Sequence, residues 1–205
     1  MSLYNLLKKA WHYFKCVICL RMELPIRKRK KFAYYGKDAV VSCPMLQLTG
    51  SEYISIGDNT TILTNSRLAV YGQAKGTEAV IRIGKRCYIG FGFTALAYAE
   101  GSITVGDDVL MASNVMITNE NHGIDPESEI PYMDQPLSCK DVAIGDGCWI
   151  GENVGILPGV TIGKKCIIGA GSIVTKSVPD YSIAVGNPAK VIKQYDFSKH
   201  DWVKV

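Results

Sequence analysis

Apolar positions recur along this chain with a period of six. Ile144, Ile150, Ile156, Ile162, Ile168 and Val174 form an unbroken run at that spacing. Two residues before each stands a small or β-branched residue: Val142, Cys148, Val154, Val160, Cys166 and Ser172. Glycine follows four of the six, at Gly145, Gly151, Gly163 and Gly169. A helix would scatter a six-residue period around its axis, and a single strand alternates with period two. The pattern predicts short strands joined by tight bends, each turning one large and one small apolar side chain inward, with glycine relieving the bend. It therefore predicts an all-β fold, a parallel β-helix of hexapeptide repeats with a triangular cross-section.

The same frame runs upstream with interruptions. Ile56, Ile62 and Leu68 are in step, then Ile83, Ile89 and Ala95, then Val105, Met111 and Ile117. Three hexapeptides make one coil, so five coils are expected: 56–68, 83–95, 105–117, 144–156 and 162–174. Every insertion falls between a third and a following first position, which places all of them at one corner of the prism; the longest is the inserted loop 118–141. Protrusions stacked on one edge of a rigid scaffold are where binding and catalytic groups usually sit. The expected division is an N-terminal segment 1–35, a β-helix domain 36–190 and a C-terminal tail 191–205.

Composition changes this picture little, since 205 residues that are 47% apolar suit one folded repeat domain. The net charge of +4 is mild. In residues 2–23, Leu3, Leu6, Leu7, Ala10, Phe14, Val17 and Ile18 recur at helical spacing, and Arg27 to Lys31 is a block of five like charges. A helix capping the open end of the β-helix, followed by a solvated basic linker, is the first reading of residues 1–31. A peripheral contact with anionic lipid is the second. The longest uncharged apolar run there, Cys16 to Leu20, is too short to span a bilayer, and no cleavable secretory signal is evident. No nucleic-acid recognition motif accompanies the basic block. Seven scattered cysteines, with Cys148 and Cys166 at inward positions, suit a reduced, cytoplasmic protein. The lone Cys16–Cys19 pair is a weak metal signal, and no metal is expected.

Histidine occurs only at His12, His122 and His200. His122 lies at the root of the longest insertion, in Thr118-Asn119-Glu120-Asn121-His122-Gly123, among polar neighbours able to fix an imidazole tautomer. It is the candidate general base.

Three runs then carry a resemblance. Asp146 to Gly163, Ile168 to Lys176 and Val185 to Lys193 are similar to the hexapeptide-repeat acyltransferases, the maltose/galactoside and polysaccharide O-acetyltransferases among them. The likeness covers about residues 50–195. It implies a left-handed parallel β-helix, a homotrimer with active sites between subunits, and acetyl-CoA as donor, with no metal; generic crossover chirality alone would favour right-handed coils. Position by position, the resemblance makes His122 the catalytic histidine. Trp149, Gly151 and Ala170 would lie along the donor's pantetheine arm, Thr175 and Lys176 would contact the donor, and Lys190 and Lys193 would lie near its nucleotide phosphates. Asn119 and Asn121 are expected on the acceptor side. Glu100 falls where the family has a carboxylate near the histidine, which would orient His122. Gly92 stands where the sugar acetyltransferases carry an acceptor-binding asparagine, and Glu152 where they carry a serine, so a different acceptor pocket is expected.

Three functions follow in order. The first is acetyl-CoA-dependent transfer to a sugar hydroxyl, in surface polysaccharide or glycoconjugate synthesis, with an N-acetyltransferase on an amino sugar or nucleotide sugar as the alternative. A non-catalytic β-helix binding module is the second; it would leave the donor-like motifs unexplained. A zinc lyase of the γ-carbonic-anhydrase type needs three histidines, and only His122 lies in the repeats.

Overall fold

The computed structural model describes residues 22–24, 26–73 and 79–205. Three sheets enclose one apolar core, and the chain passes from sheet to sheet in turn. The first sheet starts at Tyr34–Tyr35 and reaches Thr161–Ile162; the third starts at Gln47–Thr49 and reaches Ile173–Val174. The second starts at an edge strand, Met22–Glu23, and extends beyond the coils to Asp201–Lys204. Within the coils every pairing is parallel.

The predicted frame sets the register. Ile56 pairs with Ile83, Ile83 with Val105, Val105 with Ile144, and Ile144 with Ile162. On the second face Ile62, Ile89, Met111, Ile150 and Ile168 stack in the same way, and on the third Leu68, Ala95, Ile117, Ile156 and Val174. All of these side chains are buried. Burying each large aliphatic side chain stabilises the fold by about 1.5–3 kcal/mol.

The structure adds turns that the period misses. A further coil precedes the first expected one: Tyr35 pairs with Ile56, Val41 with Ile62 and Leu48 with Leu68. Pro44 and irregular spacing on both sides of Leu48 hide it in the sequence. At the other end Val178 bridges to Ile162, and Ala184 pairs with Ile168. Residues after 190 continue the second sheet as a hairpin: Lys190–Asp196 pairs antiparallel with Ser182–Val185, and Asp201–Lys204 pairs back onto it. Tyr195 packs edge-on against Phe197 and Trp202, which anchors that hairpin.

Most of the predicted N-terminal helix, and the Cys16–Cys19 pair, lie outside the described residues. Its last two positions are strand: Met22 and Glu23 pair antiparallel with Cys43 and Ser42. The basic block also departs from a solvated linker. Ile26–Arg29 is a short helix, Arg29 ion-pairs with Glu23 and lies 5.5 Å from the centre of the Tyr35 ring, and Phe32 is buried. Lys28, Lys30 and Lys31 of the block are exposed.

Corners repeat as regularly as strands. Between the second and third sheets, Asn65, Gly92, Asn114, Asn153 and Gly171 all have positive φ, a conformation open to glycine and asparagine. Between the first and second sheets, carboxylates stitch successive turns together. Asp58 accepts from Lys37 N, Asp107 from Lys85 N and Asp146 from Asp107 N, at 2.8–2.9 Å. The Tyr34 hydroxyl, and then the Lys37 amide, hold the Asp58 carboxyl below its ordinary range. At this same corner a Cβ on Gly57 would lie 2.5 Å from the backbone of Gly84. We expect Gly57→Ala to force the two turns apart and lower stability by about 1–3 kcal/mol, read as a fall in melting temperature of the full chain.

Candidate active site

All long insertions leave the prism between the third and first sheets, as the spacing predicts. The longest begins as a two-stranded ribbon in which Glu120 pairs with Cys139 and Asn121 with Ser138. His122 follows at once, so its position is set by the ribbon rather than by the loop beyond. Asn121, His122, Gly123, Ile124, Tyr132 and Ser138 line an open cavity of about 570 Å³. The remainder of the arm is organised by Gln135, a buried residue to which sequence reasoning assigned no role. Its amide accepts from Asp125 N and donates to the carbonyls of Asp125 and Ile130, all within 3.1 Å. A Cβ at position 123 would meet Gln135 Cβ at 2.6 Å, so the residue after His122 has to be glycine. The arm carries exposed apolar side chains, with Ile124 84% and Met133 75% exposed.

The expected donor residues lie on the coils that follow the arm. Trp149 is half exposed on the outer face of the second sheet, in register with Leu110 and Ile167. Gly151 is buried beneath Ala170: a Cβ there would meet Ala170 N at 2.6 Å. The next residue, Gly171, has nothing within 4 Å of its Cβ position, so this corner offers open backbone. Thr175 and Lys176 are exposed at the corner that also carries the arm. Lys190 is paired with Val185, whose side chain packs on Gly169 beside Ala170; Lys193 lies further along the same strand.

Asn119 is placed differently from expectation, and Gly92 and Glu100 lie apart from His122 within one chain. Asn119 is fully buried, its Oδ1 accepting from Tyr98 N (2.8 Å) and its Nδ2 donating to Tyr98 O (3.0 Å). With both polar atoms spent on the preceding coil, it cannot bind an acceptor. Gly92 occupies the corner between the second and third sheets, so the full length of the strand Thr94–Tyr98 separates it from the corner that carries His122. Its absent side chain has a local cause, since a Cβ would lie 2.4 Å from Asn114 Oδ1. Glu100 is exposed and makes no hydrogen bond or ion pair with His122 among the described residues. Its charge falls on the other side of the ribbon, where after burial it raises the pKa of the Cys139 thiol.

The inward cysteines are structural. Burial pushes the Cys87 thiol above its ordinary range, and the Cys148 and Cys166 thiols donate to the carbonyls of Gly163 and Pro179 at 3.0 Å. No group of three His, Cys, Asp or Glu side chains able to hold a metal occurs among the described residues, and no helix among them is long and apolar enough to cross a membrane.

Residues 141–176 match the bacterial transferase hexapeptide model of six repeats, and residues 80–119 match the hexapeptide repeat of succinyl-transferase. A protein of Escherichia coli K12 named as an O-acetyl transferase of lipopolysaccharide biosynthesis, WbbJ, is 37% identical over 157 residues, covering 74% of this chain and 76% of that one. The chain belongs to the hexapeptide-repeat acetyltransferase family. The galactoside O-acetyltransferase of the same organism is 38% identical over 125 residues, 60% of this chain and 59% of that one. Among solved structures, the N-acyltransferase AntD of Bacillus cereus, in complex with dTDP and 3-hydroxybutyryl-CoA, superposes with a TM-score of 0.71 at 23% identity, over 87% of this chain and 93% of that one. The β-helix is left-handed, as the resemblance implied and generic chirality did not.

The Asn119 geometry has a direct consequence. Asn119→Ala strands the Tyr98 amide, and leaving a buried donor unpaired costs about 1–3 kcal/mol. We expect a lower melting temperature with little change in substrate KM, measured on the full chain.

Proposed function

We propose that this chain is an acetyl-CoA-dependent O-acetyltransferase acting on a sugar hydroxyl of a surface polysaccharide or glycoconjugate. The observation that carries the reading is the position of His122, which lines a cavity on an arm that leaves the same corner as Thr175 and Lys176. The relatives named for O-acetyl transfer support it, and so does the open backbone at Ala170 and Gly171, which suits an extended, amide-bearing donor.

In this reading His122 takes the proton of the acceptor hydroxyl as its oxygen attacks the thioester carbonyl. Backbone N–H groups of the rungs meet the tetrahedral oxyanion. Collapse breaks the carbon–sulfur bond, and the imidazolium returns the proton to the departing thiolate. No acyl-enzyme is invoked, and the core thiols of Cys148 and Cys166 are committed to carbonyls. Acetyl transfer to the amine of a sugar is the second reading, favoured by the likeness in fold to an N-acyltransferase; it uses the same base and donor site.

We also assign a homotrimer. The apolar side chains of the arm face solvent in a single chain, and a neighbouring prism would cover them and close the cavity. Light scattering at micromolar concentration should give three chains per particle, and a monomer would remove the shared site. His122→Ala should lower turnover by about 10²- to 10⁴-fold while CoA still raises the melting temperature of the protein. Near-normal turnover in this variant would overturn the mechanism.

A further inference from the structure

The first turn of the prism holds a cavity that the His122 site does not use. Lys28, Lys31, Leu48 and Ser51 line it, and its volume is about 160 Å³, room for about five waters. Each wall has a local cause. Lys31 N donates to Lys28 O at 3.1 Å, so the short helix Ile26–Arg29 ends in a turn. Residues three apart on such a turn share a face. That brings Lys28 and Lys31 to one side and sends Lys30 to the other, where it lines a separate cavity with Arg29 and Phe32. The segment is fastened just beyond: Phe32 is buried, and Ala33 N lies 3.3 Å from Ser51 O and 3.0 Å from Ile54 O, donating to both. Leu48, in register with Leu68, supplies the apolar wall.

The donors that line this cavity are unspent. Ser51 is only 8% exposed, and its hydroxyl makes no hydrogen bond among the described residues. A buried polar group left unpaired is costly unless a ligand or water meets it. Lys28 and Lys31 make no ion pair among the described residues either. No carboxylate lines the cavity: Glu23 is taken up by Arg29, and Glu52, next to Ser51 in the chain, is exposed outside it. Two cations and a buried hydroxyl therefore converge with nothing to neutralise them.

That donor set selects its ligand. Lysine is a compact point charge with three donors and serine a single hydroxyl, so together they suit a group whose oxygens point several ways. A planar carboxylate is matched instead by the arginine fork, and Arg29 is committed to Glu23 and to the Leu24 carbonyl. A phosphoryl group has both the charge and the spread of oxygens, and Leu48 faces the carbon side of an ester. We propose that this cavity binds a phosphate ester. It lies where the chain crosses from the third sheet to the first, the edge from which the arm also leaves. Leu48 stacks in one column with Leu68, Ala95 and Ile117, so three turns separate the cavity from the arm. That is about 14 Å at the spacing of hydrogen-bonded strands. The site is thus separate from the His122 cavity, and it stands independently of the acetyl-transfer reading.

The test uses the full chain with saturating CoA, so that phosphate does not act through the donor site. It reads the melting temperature against inorganic phosphate and sn-glycerol 3-phosphate at matched ionic strength. Either probe at about 10 mM should raise the wild-type value by about 2–5 °C. Lys31→Glu and Ser51→Ala should lose that rise, while Lys30→Glu, one residue away but outside the cavity, should keep most of it. A second arm measures co-sedimentation with phosphatidylcholine vesicles, with and without phosphatidylglycerol. Retention on phosphatidylglycerol that Lys31→Glu abolishes and Lys30→Glu does not makes the ester a lipid headgroup; a thermal rise without retention makes it a soluble one. Equal losses in Lys30→Glu and Lys31→Glu mean a diffuse basic surface rather than a site, and overturn the inference. So does a wild-type protein that responds to neither phosphate probe nor to the vesicles. Both failures leave acetyl transfer standing, since turnover and its loss in His122→Ala are read separately.

Discussion

One large apolar side chain per strand, stacked in register on its counterpart in the next turn, closes the core of this protein and sets where every corner falls. Met111 rests between Ile89 and Ile150, and Ile117 between Ala95 and Ile156. A slip of one residue along any strand would turn its inward side chain to the outside. The backbone enforces the same spacing at the corners, where a Cβ on Gly84 would come within 2.4 Å of Gly106 O, and one on Gly145 within 2.6 Å of Lys164 N. Successive turns therefore approach too closely for any side chain at these positions. The period of six is the sequence record of that closeness.

A scaffold held so tightly has little room for insertions within a strand, and it places them where a turn ends. The corner between the third and first sheets accepts them because a ribbon leaving there disturbs neither neighbour. Lys140 N donates to Asn119 O, and Asn119 in turn clamps Tyr98 of the turn before. The base of the arm is thus fastened to the prism, and His122 stands only three residues from that fastening. Beyond it, order comes from Gln135 alone among buried polar side chains, bridging the two limbs of the loop. The His122 imidazole is held on the rigid part of the insertion, where the proposed general base would need to be.

Much of this was legible before the structure. Fifteen inward positions, from Ile56 to Val174, could be read from spacing, because an inward residue in a tight coil has no freedom to drift. The coil through Tyr35, Val41 and Leu48 could not, since irregular bends around Pro44 break the count. At the site, the prominence of His122 came from scarcity and from its place in the insertion. Asn119 was misjudged for a physical reason: a polar residue in a polar stretch looks available, and only stacking shows that the preceding turn consumes both ends of its amide. Glu100 and Gly92 lie apart from His122 within one chain, which the sequence could not show either. Nearness to His122 depends on which face of the ribbon and which corner of the prism a residue occupies, and the period specifies neither.

That legibility is uneven along the chain. After it, residues 142–174 keep the period without a break and match a family model across 141–176. Before it, the chain is interrupted at every turn. In the proposed reading, a donor shared by a whole family demands open backbone of the kind found at the Ala170–Gly171 corner, which regular coils supply without disturbing the core. An acceptor that differs from enzyme to enzyme demands polar groups arranged for it alone. Such groups have to be mounted on outward positions, so that the stacked interior is left intact. The same rigidity that makes one half of the chain easy to read lets the other half carry a specificity that the repeat cannot express.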